Sequence, residues 1–203
     1  MFVALTEDPR PAGPGAARPG RRHLSERQAE AAERLVIAAE EEAGSRPYAQ
    51  ISVRSIAKRA GVAAATAYTY FSSKDHLLAE VLWRRMQATP YLVDLDQSLA
   101  ERMADAVRTM GFGAAESPEV TAACTSALLG EGPDVADVRA RIGREIALRV
   151  RAALGPDSAP GVLRVLQITY TGAILSAGLG HVRYDELPGL MAEAAERMTG
   201  TPT

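Results

Sequence analysis

The chain has 203 residues, of which 47% are hydrophobic and 24% charged, a balance typical of a soluble globular protein. A collagen-like chain and a disulfide framework are excluded, because glycine and proline show no period and Cys124 is the single cysteine. No apolar run is long enough to span a bilayer, and the first residues lack the features of a secretion signal. We therefore expect a cytoplasmic protein with no membrane partner.

Charge is distributed unevenly along the chain, although the net charge is only −2. Residues 1–85 carry a net charge of +3, whereas residues 86–203 carry −5. A strongly basic nucleic-acid binder is therefore excluded, and any affinity for nucleic acid must come from locally placed cations.

Residues 1–24 are predicted to form a disordered basic arm, because prolines and glycines recur there without apolar periodicity. Four arginines make the arm basic, at positions 10, 18, 21 and 22. Two interpretations remain open: a solvated tail, or an arm that follows the DNA backbone or enters the minor groove.

Residues 25–72 are predicted to form a small helical domain. Ser25 and Gln28 match a capping box at the start of a first helix, which runs with one apolar face to Gly44. Ser52 is a predicted N-cap for a second helix, and Gly61 ends that helix because glycine adopts the left-handed conformation. A third helix must begin about two residues later, which predicts two short helices at a tight corner.

The remaining residues, 73–203, are predicted to form a larger helical domain without strands. Ser72 or Ser73 caps a fourth helix that reaches Ala88. The further helices are predicted from Asp94 or Asp96 to about Phe112, from Ser117, from Asp134 to Leu154, from Pro160 to about Val182, and from Asp185 to Met198. The fold class is therefore all-α.

Residues 51–78, ISVRSIAKRAGVAAATAYTYFSSKDHLL, carry the most informative pattern. The small Ala57 allows close helix crossing, Gly61 makes the turn, and apolar residues form a compact seam, as in a helix-turn-helix. The strings "IA..AGV", "T.Y.YF" and "SK..LL" resemble the N-terminal domain of TetR-family transcriptional regulators. The resemblance covers about residues 25–85.

This resemblance implies that eight residues contact DNA: Ser52, Arg54, Ala64, Thr66, Tyr68, Thr69, Tyr70 and Lys74. Ser52 and Arg54 would face a phosphate at the start of the second helix, and Lys74 would add charge at the start of the fourth. Hydroxyls of the third helix would bind phosphates or base edges. It remains open whether Tyr68 or Tyr70 packs on the domain core, and Phe71 is predicted to be a core residue.

The predicted recognition helix offers few long polar side chains. Ala63, Ala64 and Ala65 stand where family members often have polar residues or glycine, although an alanine can contact a thymine methyl group. We expect discrimination to come from Thr66, Thr69 and Arg54, from the arm, and from DNA shape.

The resemblance also implies a homodimer formed through the last two long helices. Gly172, Ser176 and Gly180 recur every four residues, a small-residue stripe that permits close helix contact across a twofold axis. Packing of this stripe within one subunit is the open alternative.

A pocket for a small molecule is the second implied feature of the larger domain. Ligand sites are mostly apolar with a few orienting groups, and the candidates on the middle helices are Met103, Val107, Met110, Phe112, Cys124, Leu128, Ile142, Ile146, Gln167 and Tyr170. Taken individually, residues of these types are more often ordinary core residues, and that alternative stays open for each of them. Since no cationic cluster is evident there, we expect an uncharged or amphipathic hydrophobic effector.

Enzymatic activity, a metal site and a cofactor are not expected. His23, His76 and His181 lack metal-ligand spacing, Cys124 has no neighbouring histidine, and no glycine loop suits phosphate. Cys124 is interpreted as a small buried hydrophobe rather than a redox sensor.

The sequence thus predicts a homodimeric regulator, a repressor released from a double-stranded palindromic operator by a small hydrophobic effector. Two alternatives remain: a DNA-binding regulator without an effector, and an all-helical enzyme or adaptor that keeps the N-terminal bundle for packing.

Overall fold

The computed structural model describes residues 19–110, 117–156 and 158–200, which contain nine α-helices and no strand. This confirms the all-α prediction. None of the described helices has the length and apolar character needed to cross a bilayer. The helices are α1 (Pro19–Ser45), α2 (Val53–Arg59), α3 (Ala64–Tyr70), α4 (Lys74–Ala88), α5 (Leu99–Arg108), α6 (Pro118–Leu128), α7 (Pro133–Leu154), α8 (Pro160–Gly178) and α9 (Leu187–Thr199).

The first three helices form a small N-terminal bundle, in which α2 packs against α1 and α3. Each helix contributes one fully buried side chain to the same apolar cluster: Leu35 from α1, Ile56 from α2 and Ala67 from α3. A single 3-10 turn, Tyr48–Gln50, joins α1 to α2. We call α1–α3 the head.

Helix α4 connects the head to the rest of the molecule, since it packs against α1 as well as α6 and α7. Leu77, Leu78 and Leu82 are completely buried along it. The apolar core is therefore continuous from the head into the larger helical part. A displacement of α4 must change the packing in both parts.

Helices α5–α9 form the larger part, which we call the body. Helix α5 packs extensively on α9, while α8 packs on α6, α7 and α9. Tyr170 and Leu166 of α8 are buried against this core, with Met191 of α9.

One buried cation, Arg149 of α7, ties three helices together. Its guanidinium donates hydrogen bonds to the carbonyl oxygens of Met86 at 2.7 Å, of Thr89 at 2.9 Å, and of Thr109, and it pairs with Glu145 at 2.9 Å. The last carbonyl oxygens of a helix lack amide partners in a following turn, so a cation is favourable there. Arg149 therefore fixes the C-terminal end of α4 against the body.

The predicted start of the first helix at Ser25 was wrong, because α1 begins six residues earlier, at Pro19. Proline is well tolerated at a first helical position, and the residues that follow Gly20 do not interrupt a helix. Ser25 therefore lies within α1 rather than at its cap. Residues 1–18 of the predicted arm lie outside the described residues.

Two further boundaries also differ from the prediction. Neither Asp94 nor Asp96 caps α5: Ser98 does, through a capping box with Glu101. Helix α5 ends at Arg108 rather than near Phe112. Phe112 itself lies outside the described residues.

Helix α8 ends at Gly178 rather than near Val182, because Gly180 takes a φ of +78° and turns the chain. Gly180 consequently does not belong to the small-residue stripe of that helix.

Candidate functional site

The corner between α2 and α3 is built from a capped helix start and a left-handed glycine. The Ser52 hydroxyl accepts a hydrogen bond from the Ser55 amide, and the Ser55 hydroxyl accepts one from the Ser52 amide, each at 3.1 Å. Gly61 has a φ of +64°, a conformation that a side chain disfavours. The Val62 amide then bonds to the Ala57 carbonyl at 2.9 Å. The predicted Ser52 cap and Gly61 turn are confirmed.

Helix α3 has an inner and an outer face. Ala67 is fully buried and Phe71, four residues later, is buried beneath the helix end, as predicted for a core residue. At helical spacing the remaining positions must point away from the core. The exposed side chains of α3 are Ala65, Thr66, Tyr68 and Thr69, with half of the Tyr68 side chain accessible to solvent.

Other predicted DNA contacts are less accessible than these. Ala64 and Tyr70 are half-buried and pack against the core. The Thr69 hydroxyl donates a hydrogen bond to the Thr66 carbonyl at 2.6 Å, which leaves its lone pairs free to accept. Arg54 of α2 is exposed. The helix-turn-helix thus exposes a short, hydroxyl-rich face on α3, and the exposed cations of α2 are Arg54, Lys58 and Arg59.

Lys74, at the start of α4, lies in a cluster with Tyr48 and Asp75. The Lys74 ammonium donates a hydrogen bond to the Tyr48 carbonyl at 2.9 Å and sits 3.9 Å from the centre of the Tyr48 ring. The Tyr48 hydroxyl donates to Asp75 Oδ1 at 2.5 Å. Burial and the Asp75 carboxylate raise the pKa of Tyr48 to about 12, so the hydroxyl keeps its proton.

This cluster binds the head to the first turn of α4, and sequence reasoning did not find it. Tyr48 lies 26 residues before Lys74 in the chain, and no local spacing connects the two. Lys74 was predicted only as a phosphate contact. Its ammonium has three donors, so a hydrogen bond to Tyr48 leaves further donors for an anion.

The orientation of α2 on α1 depends on a buried carboxylate, Glu42. The Arg59 side chain donates to Glu42 Oε1 at 2.7 Å, and Arg46 lies 3.5 Å from the other oxygen. Burial alone would raise the pKa of Glu42, but hydrogen bonds from Arg59 and Ser55 and the Arg46 charge outweigh it and hold the pKa below its usual value. Glu42 therefore remains ionised between the first two helices.

A cavity of about 170 Å³ opens between α6, α7 and α8 in the body. Its lining is mostly apolar, and it includes two threonines, one tyrosine and the exposed Arg139. The lining residues are Thr125, Leu128, Leu129, Arg139, Ile142, Gly143, Ile146, Tyr170, Thr171, Ile174 and Leu175.

Four of the predicted effector residues line this cavity: Leu128, Ile142, Ile146 and Tyr170. Met103, Val107, Met110 and Cys124 are buried but do not line it, and Gln167 is half-buried outside it. Sequence reasoning missed the other seven lining residues, which are Thr125, Leu129, Arg139, Gly143, Thr171, Ile174 and Leu175. The available signal was the helical spacing of four residues from Tyr170 to Ile174, which places both residues on one face of α8.

Two buried titratable groups of the body stay protonated and uncharged near neutral pH. Burial raises the pKa of the Cys124 thiol to about 12, and burial also raises the pKa of the Tyr170 hydroxyl. A thiol that stays protonated is a poor nucleophile, which agrees with the interpretation of Cys124 as a core residue.

Comparison with known proteins identifies the family. Residues 35–81 match the family model described as "Bacterial regulatory proteins, tetR family". Over 142 residues the chain is 44% identical to an uncharacterized HTH-type transcriptional regulator of Mycobacterium bovis, an alignment that covers 69% of this chain and 67% of that protein. An uncharacterized HTH-type transcriptional regulator of Mycobacterium tuberculosis matches with the same identity and coverage. The chain belongs to the TetR family.

The fold of a solved TetR regulator matches most of the chain. The structure of a TetR transcriptional regulator from Rhodococcus sp. RHA1 matches with a TM-score of 0.69 at 24% sequence identity, over 88% of this chain and 99% of that one. As a TetR-family protein, this chain is a DNA-binding transcriptional regulator, and the resemblance predicted from residues 51–78 is confirmed.

The Glu42 carboxylate makes the stability of the TetR head depend on pH. A Glu42→Gln substitution is expected to lower the free energy of unfolding by about 1–3 kcal/mol at neutral pH, because Arg59 loses its charged acceptor. A lowered pKa in the folded state gives stability that is complete above the unfolded pKa, about 4.3, and is lost as the pH falls through the folded value.

The measurement is urea unfolding of both chains between neutral pH and about pH 3. The difference in free energy of unfolding between the parent chain and Glu42→Gln should become smaller as the pH falls. Glu41→Gln is the matched control. Glu41 is exposed, and its carboxylate lies 3.5 Å from the Arg59 guanidinium, a longer contact than that of Glu42. A difference that stays constant across this pH range would contradict the assignment.

Proposed function

We propose that this TetR-family regulator is a homodimeric repressor that a small hydrophobic or amphipathic effector releases from a palindromic operator. In this proposal residues 25–72 bind DNA, and residues 73–203 dimerise and hold the effector. The observation that carries the proposal is the outward face of α3, where Thr66, Tyr68 and Thr69 are exposed on a helix fixed by the Gly61 turn.

The DNA-binding part of the proposal places α3 in the major groove. Thr66, Tyr68 and Thr69 would bind phosphates or base edges, with Arg54 and Lys74 on the backbone. Ser52, Ala64 and Tyr70 would also contact the DNA and would contribute less to the affinity. Because the alanines read few base edges, a large share of specificity would come from DNA shape.

The dimer would form through α8 and α9. Ile168 of α8 is 64% exposed, Leu179 directly after α8 is 73% exposed, and Leu190 of α9 is 41% exposed. A Cβ atom added at Gly172 would meet no atom within 4 Å, so the small residue there serves no close contact within the subunit. An apolar face with small residues on two adjacent helices suits a self-complementary interface. Two heads would then reach successive major grooves about one helical turn apart.

The effector would bind in the cavity between α6, α7 and α8. An open, mostly apolar cavity favours this role over regulation without a ligand, which a collapsed interior would suit better. Repression would be relieved if the ligand prefers a conformer in which α4 displaces the heads. A loss of operator affinity of about 100-fold needs roughly 2.7 kcal/mol of coupling.

Operator binding tests the proposed DNA contacts. With a duplex selected from random sequences, Lys74→Ala should weaken the binding of all duplexes similarly and reduce the salt slope by about one charge. Tyr68→Phe should weaken binding about three- to tenfold, because one hydroxyl hydrogen bond is lost while the ring remains.

The control for these two variants is Arg144→Ala, which removes an exposed cation from α7 of the body. It should leave the affinity unchanged. Unaltered operator affinity in both Lys74→Ala and Tyr68→Phe would remove these residues from the interface.

Sedimentation measures the proposed dimer. Ile168→Glu should convert the dimer into monomers at micromolar concentration, because a carboxylate would be buried against its own symmetry mate. Leu92→Glu is the matched control, since Leu92 is 88% exposed in the α4–α5 connection. A dimer that survives Ile168→Glu, or a monomeric parent chain, would contradict the interface.

A further inference from the structure

Arg139 of α7 is the charged residue among the described residues that line the cavity. The wall around it is formed mainly by leucine and isoleucine side chains from α6, α7 and α8. An apolar wall rejects an ionised group, whereas a guanidinium at its edge offers several donors in a plane. A ligand with both an apolar body and an anionic end would match this distribution.

The guanidinium of Arg139 is only partly engaged. Its Nη1 donates to the carbonyl oxygen of Leu128 at 2.6 Å and lies 3.4 Å from that of Gly130. Within residues 19–110, 117–156 and 158–200 no carboxylate pairs with it inside 4.0 Å. Neutral carbonyls are weaker acceptors for a guanidinium than a carboxylate is. An anionic ligand would therefore compete well for Arg139.

Of the two carbonyls that Arg139 holds, that of Leu128 ends α6 and that of Gly130 lies in the turn between α6 and α7. This turn touches the first turn of α4: a Cβ atom added to Gly130 would lie 2.6 Å from Asp75 Oδ2 and 3.0 Å from Asp75 Cβ. The other oxygen of Asp75 accepts the Tyr48 hydroxyl bond from the head. One carboxylate thus lies between the turn that Arg139 holds and the DNA-binding head.

We propose that the cavity takes a medium-sized apolar carboxylate, and that Arg139 both binds its head group and transmits its arrival. This inference rests on the proposed function of the cavity as the effector site. The carboxylate draws the guanidinium away from Leu128 and Gly130, the α6–α7 turn loosens, and Asp75 loses its fixed neighbour. The head then moves relative to the body because its contact with α4 has changed.

Two probes of equal chain length test the head group: octanoate and 1-octanol, with binding measured by calorimetry. The parent chain should bind octanoate at least about tenfold more tightly, the difference expected for a charge-assisted hydrogen bond. In Arg139→Gln the two probes should bind within about threefold of each other. Arg144→Gln, an exposed arginine on the same helix, should behave like the parent.

Operator affinity tests the transmission. Saturating octanoate should weaken operator binding by about tenfold or more in the parent. Arg139→Gln should bind the operator more weakly than the parent even without octanoate, because Leu128 and Gly130 are no longer held, and octanoate should weaken it no further. Equal binding of octanol and octanoate, or no binding of either, would overturn the carboxylate assignment. Octanoate binding without any effect on operator affinity would overturn the transmission. Failure of the proposed function is distinguishable, because the same preparation would then bind no operator in the absence of either probe.

Discussion

The contacts of Asp75 at the first turn of α4 are the constraint on which the relation between head and body depends. Its carboxylate accepts the Tyr48 hydroxyl from the head at 2.5 Å, and Gly130 of the body packs against the same side chain without room for a Cβ atom. Arg149 fixes the other end of α4 through the carbonyl oxygens of Met86 and Thr89, and it also binds the carbonyl oxygen of Thr109 at the end of α5. The helix is thus held at both ends by polar contacts, with buried leucines between them, and its placement determines where α3 is presented.

Much of the fold could be predicted because its signals are local. The Ser52 cap, the Gly61 turn and the Ser73 cap lie within a few residues of the helices that they begin or end. Errors arose where two local signals competed. Asp94 and Asp96 were plausible caps for α5, but Ser98 has the glutamate three residues later that completes a capping box.

The candidate site could be predicted only in part, because its decisive contacts are distant in sequence. Nothing near Tyr48 indicates that its hydroxyl reaches Asp75, and Gly130 reads as an ordinary turn residue until its closeness to Asp75 is seen. Arg139 looks like one of many arginines on α7. Periodicity marks an apolar residue as buried, but it does not distinguish a cavity wall such as Ile142 from ordinary core such as Met103.

A double-mutant cycle on operator affinity tests most directly whether Asp75 joins head and body. The two substitutions are Tyr48→Phe and Gly130→Ala, and Gly130 has no positive φ that would add backbone strain. Because both residues act on one carboxylate, their effects should be coupled by at least about 0.5 kcal/mol. Effects that add to within about 0.3 kcal/mol would show that the two contacts act independently, and would contradict this account.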